Sequence, residues 1–168
     1  PAGDIYASLE KGTIDAAEWV GPYDDEKLGF VKVAKYYYTP GWWEPNSQNS
    51  MFVNQKAWDA LPKEYQAAFS AACAESNAVS MAKYDHLNPT ALKSLISKGA
   101  QLRRFPDAVL DACYKAAQDQ YTEWSDKHPE FKVMYESYNK YLKSQVDWFQ
   151  VVEGTHDNYL ARKLKGRS

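Results

Sequence analysis

Short strand-like segments alternate with helical segments along most of this sequence, and this alternation constrains the fold more than any other feature. Residues 14–20 and 35–39 are apolar or aromatic runs that end at Gly-Pro and Pro-Gly, as buried strands that lead into loops do. Residues 50–54 and 101–105 have the same character. Strands interleaved with helices are typical of an α/β domain, so we expect a short mixed sheet flanked by helices.

The helical segments have a 3.6-residue apolar period and recognisable ends. A long helix is predicted from Pro62 to about Asp85, and a further helix over residues 91–98 after a break at Asn88-Pro89. Another helix is predicted from Asp107, a good N-cap, to just before His128-Pro129.

Residues 129–168 are predicted to form a long C-terminal helical segment. Its apolar stripe consists of Met134, Tyr138, Tyr141, Leu142, Phe149 and Val152. One small lobe does not need a stripe of this length, so the segment either crosses to a second lobe or packs against another copy of the chain. We therefore divide the chain into a lobe over residues 1–128 and a helical element over residues 129–168.

Composition excludes several classes of protein. With 20 basic and 22 acidic side chains the chain has no basic field for a nucleic acid. Two cysteines and three histidines at unsuitable spacings cannot form a zinc cluster. There is no Gly-rich phosphate loop and no nucleophile elbow, so no organic cofactor is expected.

Two carboxylates follow strand-like segments. Glu18 and Trp19 lie at the carboxyl end of the first segment, and Glu44 follows Trp42 and Trp43 in the loop after the second. Open α/β sheets bind ligands at the carboxyl ends of their strands, so we expect these residues to share one cleft if the strands are neighbours. Isolated glutamates at strand ends are also common as solvated surface residues, and paired tryptophans as core packing.

Three functions are compatible with these residues. Glu18 and Glu44 could form the acid and base pair of a hydrolase. The tryptophans, together with Tyr36, Tyr37 and Tyr38, could stack on a carbohydrate, although three consecutive tyrosines cannot all face one side of a strand. Alternatively, the two carboxylates could hold a hard cation, which would attract a negatively charged ligand into an otherwise repulsive site.

Three motifs resemble one transport family. Residues 12–22 are Gly-Thr-Ile-Asp-Ala-Ala-Glu-Trp-Val-Gly-Pro, residues 40–45 are Pro-Gly-Trp-Trp-Glu-Pro, and residues 53–62 are Val-Asn-Gln-Lys-Ala-Trp-Asp-Ala-Leu-Pro. In this order they resemble the extracytoplasmic solute receptors of tripartite ATP-independent periplasmic (TRAP) transporters. The branch that binds 2-oxo acids such as pyruvate, also called mannitol/chloroaromatic receptors, is the most similar.

The resemblance implies a periplasmic receptor that is not an enzyme and that delivers a small carboxylate to a TRAP membrane permease. In this branch the ligand is held together with a sodium ion. By position, Glu18 corresponds to a cation ligand through its carboxylate and Trp19 to one through its carbonyl, with its ring beside the substrate. Glu44 corresponds to a further cation or substrate contact, and Gln48 to a substrate contact.

The resemblance also bears on length and assembly. Such receptors have two lobes and are about twice as long, so this chain corresponds to the second half. The fold that the resemblance implies is one lobe of the periplasmic-binding-protein type. In this family the arginine that pairs with the substrate carboxylate is expected just before Pro1, and Arg103 and Arg104 do not match its motif. In this branch a long C-terminal helix is exchanged between subunits, which implies a homodimer formed through residues 129–168.

Overall fold

The computed structural model describes residues 1–44, 47 and 49–165. They form two compact units, Pro1–Phe105 and Pro106–Ser168, and are mostly helical with one small sheet. The α/β class and the long C-terminal helical segment are confirmed. Across the described ranges, no helix combines the length and the apolar character that a membrane span requires.

The first unit begins with a single turn of 3₁₀ helix, Ala2–Asp4, and helix α1, Ile5–Glu10. Gly12 follows α1 with a φ of +67°, a left-handed conformation that favours glycine. The strand predicted over residues 14–20 is wrong, because this segment is irregular and has no neighbouring strand. Its apolar side chains instead line a cavity, which explains why they resemble a buried strand in sequence.

Helix α2, Pro22–Leu28, packs against α4, Lys63–Ser97, mainly through polar contacts. The Tyr23 amide donates to Asn88 Oδ1 at 3.1 Å, and the two helices are also joined by an ion pair between Lys98 and Glu26 at 2.7 Å. The Ser94 hydroxyl donates to the same Glu26 carboxylate, and these bonds together lower the pKa of Glu26. Polar contacts at both ends therefore fix α2 along α4.

Helix α4 is continuous through Pro89, so the break predicted at Asn88-Pro89 is wrong. Proline removes one amide donor and usually ends a helix, but packing can carry a helix past it. Here α2 contacts residues on both sides of the proline, and Ala91 and Leu95 just beyond it are buried. These contacts stabilise the continuous helix.

The sheet consists of β1, Tyr36–Thr39, and β2, Gln101–Arg104. The two strands are parallel, with Tyr37 opposite Leu102, in place of the mixed sheet that we expected. The strand predicted over residues 50–54 is wrong. That segment is irregular and exposed, and its last residue caps α3, Gln55–Ala60, by accepting a bond from the Ala57 amide.

The second unit is entirely helical among its described residues. Helices α5, Asp107–Lys127, and α6, Pro129–Phe149, meet at the predicted break at His128. The π-helical turn Gln150–Gly154 connects α6 to α7, Thr155–Lys165. Aromatic rings join α5 to α6, with 4.8 Å between the ring centres of Tyr121 and Tyr135 and an angle of 32° between their planes.

Candidate functional site

An open cavity of about 1580 Å³ lies within the first unit. Its walls come from the irregular segment before α2, from β1 and the loop that follows it, and from single residues of α4 and β2. The segment before α2 and the loop after β1 are distant in sequence but face the same space. The residues at its polar rim are Asp15, Glu18, Lys32, Lys35 and Glu44.

The structure brings most of the predicted site residues to this cavity. Glu18, Trp19 and Glu44 all line it, as does Trp43. Trp42 is not among the lining residues and packs edge-on against Trp43, with 5.4 Å between ring centres. Gln48 lies outside the described residues. The roles assigned to these side chains stay predictions.

Aromatic rings form the apolar part of the wall. Trp19 meets Phe30 edge-on at 6.5 Å between ring centres. Across the cavity, Phe105 is stacked on Tyr38 at 4.9 Å and meets Trp43 edge-on at 6.3 Å. Rings of this kind suit the carbon skeleton of a small ligand, and the polar rim suits its charged end.

The oxygen donors at the rim suit a hard cation, although they do not form a complete ligand set. Carboxylates such as Glu18 and Glu44 are ligands that sodium and calcium accept. In the part of the chain that the structure describes, no three His, Cys, Asp or Glu side chains come together as a metal site. A cation here therefore needs backbone carbonyls, such as that of Trp19, or oxygens from the ligand itself.

Two lysines at the rim were missed by the sequence interpretation. Lys32 is the last residue of the 3₁₀ turn Phe30–Lys32. Lys35 precedes β1, and its carbonyl accepts from the Gln101 amide at 2.7 Å. Both line the cavity, whereas Arg103 and Arg104 do not appear in its wall. For Lys35 the sequence did contain a signal. It is a basic residue directly before β1, and β1 leads into the loop that carries Glu44.

A buried carboxylate behind the cavity was also missed. Asp25, in the first turn of α2, is 7% exposed and accepts a hydrogen bond from the Tyr37 hydroxyl at 2.5 Å. Burial is the largest influence and raises the pKa of Asp25, partly offset by Tyr37 and by the backbone amides of Gly21 and Val20. Burial and the nearby carboxylate raise the pKa of Tyr37. Two consecutive acids, Asp24 and Asp25, in the first turn of a helix that begins after Gly21 were the sequence signal for this group.

Tyr37 is the middle one of the three tyrosines of β1. Its side chain turns towards Asp25, whereas Tyr36 lies near Arg103 and Tyr38 stacks on Phe105. The three side chains have different partners, but all three residues border the cavity, so the expectation that they cannot share one face stays a prediction.

Comparison with protein families gives one match over most of the chain. Residues 1–127 match the family described as bacterial extracellular solute-binding protein, family 7. The chain is also 43% identical over 159 residues to the monocarboxylate 2-oxoacid-binding periplasmic protein of Nostoc sp. strain PCC 7120. The aligned part is 95% of this chain and 44% of that protein.

Two solved structures have the same fold. A TRAP transporter solute binding protein from Bordetella bronchiseptica RB50, a mixed-occupancy dimer with copurified calcium and picolinate in one active site, is 51% identical, with a TM-score of 0.92. The match covers 100% of this chain and 50% of that one.

The second is a TRAP periplasmic solute binding protein from Pseudoalteromonas atlantica T6c with bound sodium and pyruvate. It is 31% identical with a TM-score of 0.81, and the match covers 94% of this chain and 48% of that one. The chain thus spans about half the length of the relatives it matches.

Proposed function

Because the chain belongs to family 7 of the bacterial extracellular solute-binding proteins, we propose that it is the site-bearing half of a periplasmic TRAP receptor. Its ligand is a small 2-oxo acid such as pyruvate, bound together with a sodium ion. The observation that carries this proposal is the convergence of Glu18, Trp19 and Glu44 on one cavity. The relative that binds 2-oxoacids and the neighbour with sodium and pyruvate support the choice of ligand.

Each residue has a distinct role in this proposal. The Glu18 carboxylate and the Trp19 carbonyl hold the cation, and the Trp19 ring lies beside the acid. Glu44 contacts the cation or the acid, and Gln48 contacts the acid. The cation supplies positive charge where carboxylates alone would repel an anion, and Lys32 and Lys35 add to that attraction at the rim.

The assembly belongs to the same proposal. We assign residues 1–128 to the second lobe and residues 129–168 to an element that pairs two copies of the protein. The exposed apolar side chains of α6 support a homodimer, as does the dimer of the Bordetella protein. The loaded receptor delivers the acid to TRAP permease subunits from the periplasm.

The two other functions are less well supported. The family consists of solute-binding proteins and not of enzymes, which argues against a hydrolase that uses Glu18 and Glu44. The carbohydrate-binding alternative relies on Trp42 and Trp43 as a stacking pair, but Trp42 does not line the cavity.

A calorimetric titration tests the proposal. The complete gene product is titrated with pyruvate in sodium chloride and, at the same ionic strength, in choline chloride. We expect binding in sodium and affinity at least tenfold weaker in choline, because the cation completes the site. Equal affinity in both salts, or no binding of any 2-oxo acid in a screen, would contradict it. A sugar that binds equally in both salts would favour the carbohydrate alternative.

A further inference from the structure

The segment that carries Glu18 and Trp19 has little support of its own. The Ile14 amide donates to the Ser8 carbonyl, and Gly21 accepts from the Asp25 amide at 2.9 Å, but these bonds lie at the two ends of the segment. Between them, residues 15–20 make no backbone-to-backbone hydrogen bond with the described chain. A site that binds a small ion requires its ligands to be placed closely, so another group must hold this segment in position.

Asp25 lies where it can do this. Its amide donates to the Gly21 carbonyl at 2.9 Å, where the segment ends. Its Oδ2 accepts from the Tyr37 hydroxyl on β1, the strand that leads into the loop of Glu44. One buried residue thus joins the two segments that carry the predicted ligands.

The burial of Asp25 is itself informative. It is the single buried charged residue among those the structure describes, and it borders the cavity. No atom of the described chain makes a well-formed hydrogen bond to its Oδ1. Burying a carboxylate with one oxygen poorly paired is unfavourable, and a neutral side chain of similar size would fold at least as well. A role beyond stability accounts for its presence.

We propose that Asp25 is a positioning residue that holds the segment carrying Glu18 and Trp19 against Tyr37 of β1. It thereby sets how far Glu18 and Trp19 lie from Glu44 across the cavity. The expected effect on ligand affinity rests on the proposed receptor function, whereas the position of the segment does not depend on any ligand. Replacing a group that orients the residues in contact with a metal ion typically lowers the affinity for that ion about 10–100-fold.

Three substitutions in the complete gene product test the proposal. Asp25→Asn keeps the size but removes the charge of the carboxylate that accepts from the Tyr37 hydroxyl. Tyr37→Phe keeps the ring and removes the hydroxyl, and it also serves if Asp25→Asn does not fold. Ser94→Ala is the matched control. It removes the partly buried hydrogen bond from Ser94 on α4 to Glu26 on α2, and Ser94 does not line the cavity.

The first measurement is affinity for sodium pyruvate by calorimetry, with thermal unfolding alongside. We expect Asp25→Asn to weaken binding about 10–100-fold. Tyr37→Phe should weaken it less, and the double variant should fall short of the product of the two single effects, because both act through one contact. Ser94→Ala should stay within about twofold of the wild type. Unchanged affinity in Asp25→Asn, or an equal loss in Ser94→Ala, would overturn the proposal.

The second measurement needs no ligand. In protein labelled with 5-fluorotryptophan, the ¹⁹F resonance of Trp19, assigned with Trp19→Phe, should move in Asp25→Asn and Tyr37→Phe while that of Trp58 stays. A Trp19 resonance that is unmoved in both variants would overturn the positioning role. If the wild type binds no 2-oxo acid, the proposed function fails, and this resonance alone decides the role of Asp25.

Discussion

The region around α2 and the C-terminal helices are built in contrasting ways. In the first, Ala91, Leu95 and Ala100 form a small buried core, and Asp25 is buried beside it. In the second, none of α5, α6 and α7 contains a buried residue among those described. Large apolar side chains of α6 are instead exposed, with Tyr138 at 61% and Met134 at 71%.

The two regions are therefore suited to different roles, ligand binding and association. Polar contacts that cross from α2 to β1 and α4 hold specific side chains in place, as a binding site requires. An exposed apolar helix face holds little in place by itself and gains stability when another surface covers it. We therefore expect substitutions in the first region to change ligand affinity, and substitutions in the second to change association.

The largest effect is expected at the cavity. Glu18→Ala should weaken binding of sodium pyruvate by the complete gene product more than about 100-fold, because it removes a charged cation ligand that the remaining donors do not replace. Calorimetry measures this loss. Glu10→Ala, which removes an exposed glutamate at the end of α1 outside the cavity, should leave affinity unchanged. Equal affinity of the two variants would contradict the expectation that Glu18 in the cavity binds the cation.

The next effect concerns association. Tyr138→Glu places a charge on the exposed face that Tyr138 shares with Met134 and Tyr141. It should raise the dimer dissociation constant by about 100-fold in sedimentation experiments, because a buried interface rejects an unpaired charge. Lys140→Glu adds a negative charge about 160° around the helix from Tyr138, on an exposed position, and should leave the dimer intact. A dimer that survives Tyr138→Glu would place the interface elsewhere.

A third comparison concerns stability. Leu95 is 2% exposed, and Leu95→Ala should lower the free energy of unfolding by about 3 kcal/mol. Leu142 in α6 is partly exposed, and Leu142→Ala should lower it by less than about 1 kcal/mol. Urea denaturation of both, in a Tyr138→Glu background to exclude a second copy, measures the difference. Equal losses would mean that the C-terminal helices have a core of their own.

The smallest effect is the pH dependence that Asp25 contributes. Because burial raises its pKa, the ionised form destabilises the fold. The stability of the wild type relative to Asp25→Asn should thus be greatest below about pH 3.8, the ordinary value, and should fall as the pH rises through the raised pKa. Urea midpoints of both proteins between pH 3 and pH 7 measure this. A difference that does not change with pH would indicate that Asp25 stays ionised without penalty.

Much of the fold could be predicted from local patterns. The helix that starts at Asp107 and the break at His128 were predicted from capping and proline rules, which depend on nearby residues. The errors came from long-range packing. Residues 14–20 and 50–54 have the composition of strands, but a strand forms only where a partner is available for its backbone groups. Likewise, Pro89 is tolerated because α2 packs across it.

For the candidate site, too, local patterns could be interpreted from the sequence and long-range contacts could not. Glu18, Trp19 and Glu44 were found because their local motifs mark the loops that carry them. Asp25 was missed because its burial and its bond to Tyr37 depend on how α2 lies against β1, and no local pattern specifies that contact. The strand predicted over residues 14–20 is wrong, but the loop that replaces it faces the cavity, so Glu18 and Trp19 still lie in its wall.

The most direct test is a crystal structure of the complete gene product grown with sodium pyruvate. We predict one cation about 2.4 Å from a Glu18 carboxylate oxygen and from the Trp19 carbonyl, with pyruvate beside it and Glu44 in contact with one of the two. Pyruvate bound outside this cavity, or Glu18 and Glu44 both turned towards solvent with pyruvate present, would contradict the account.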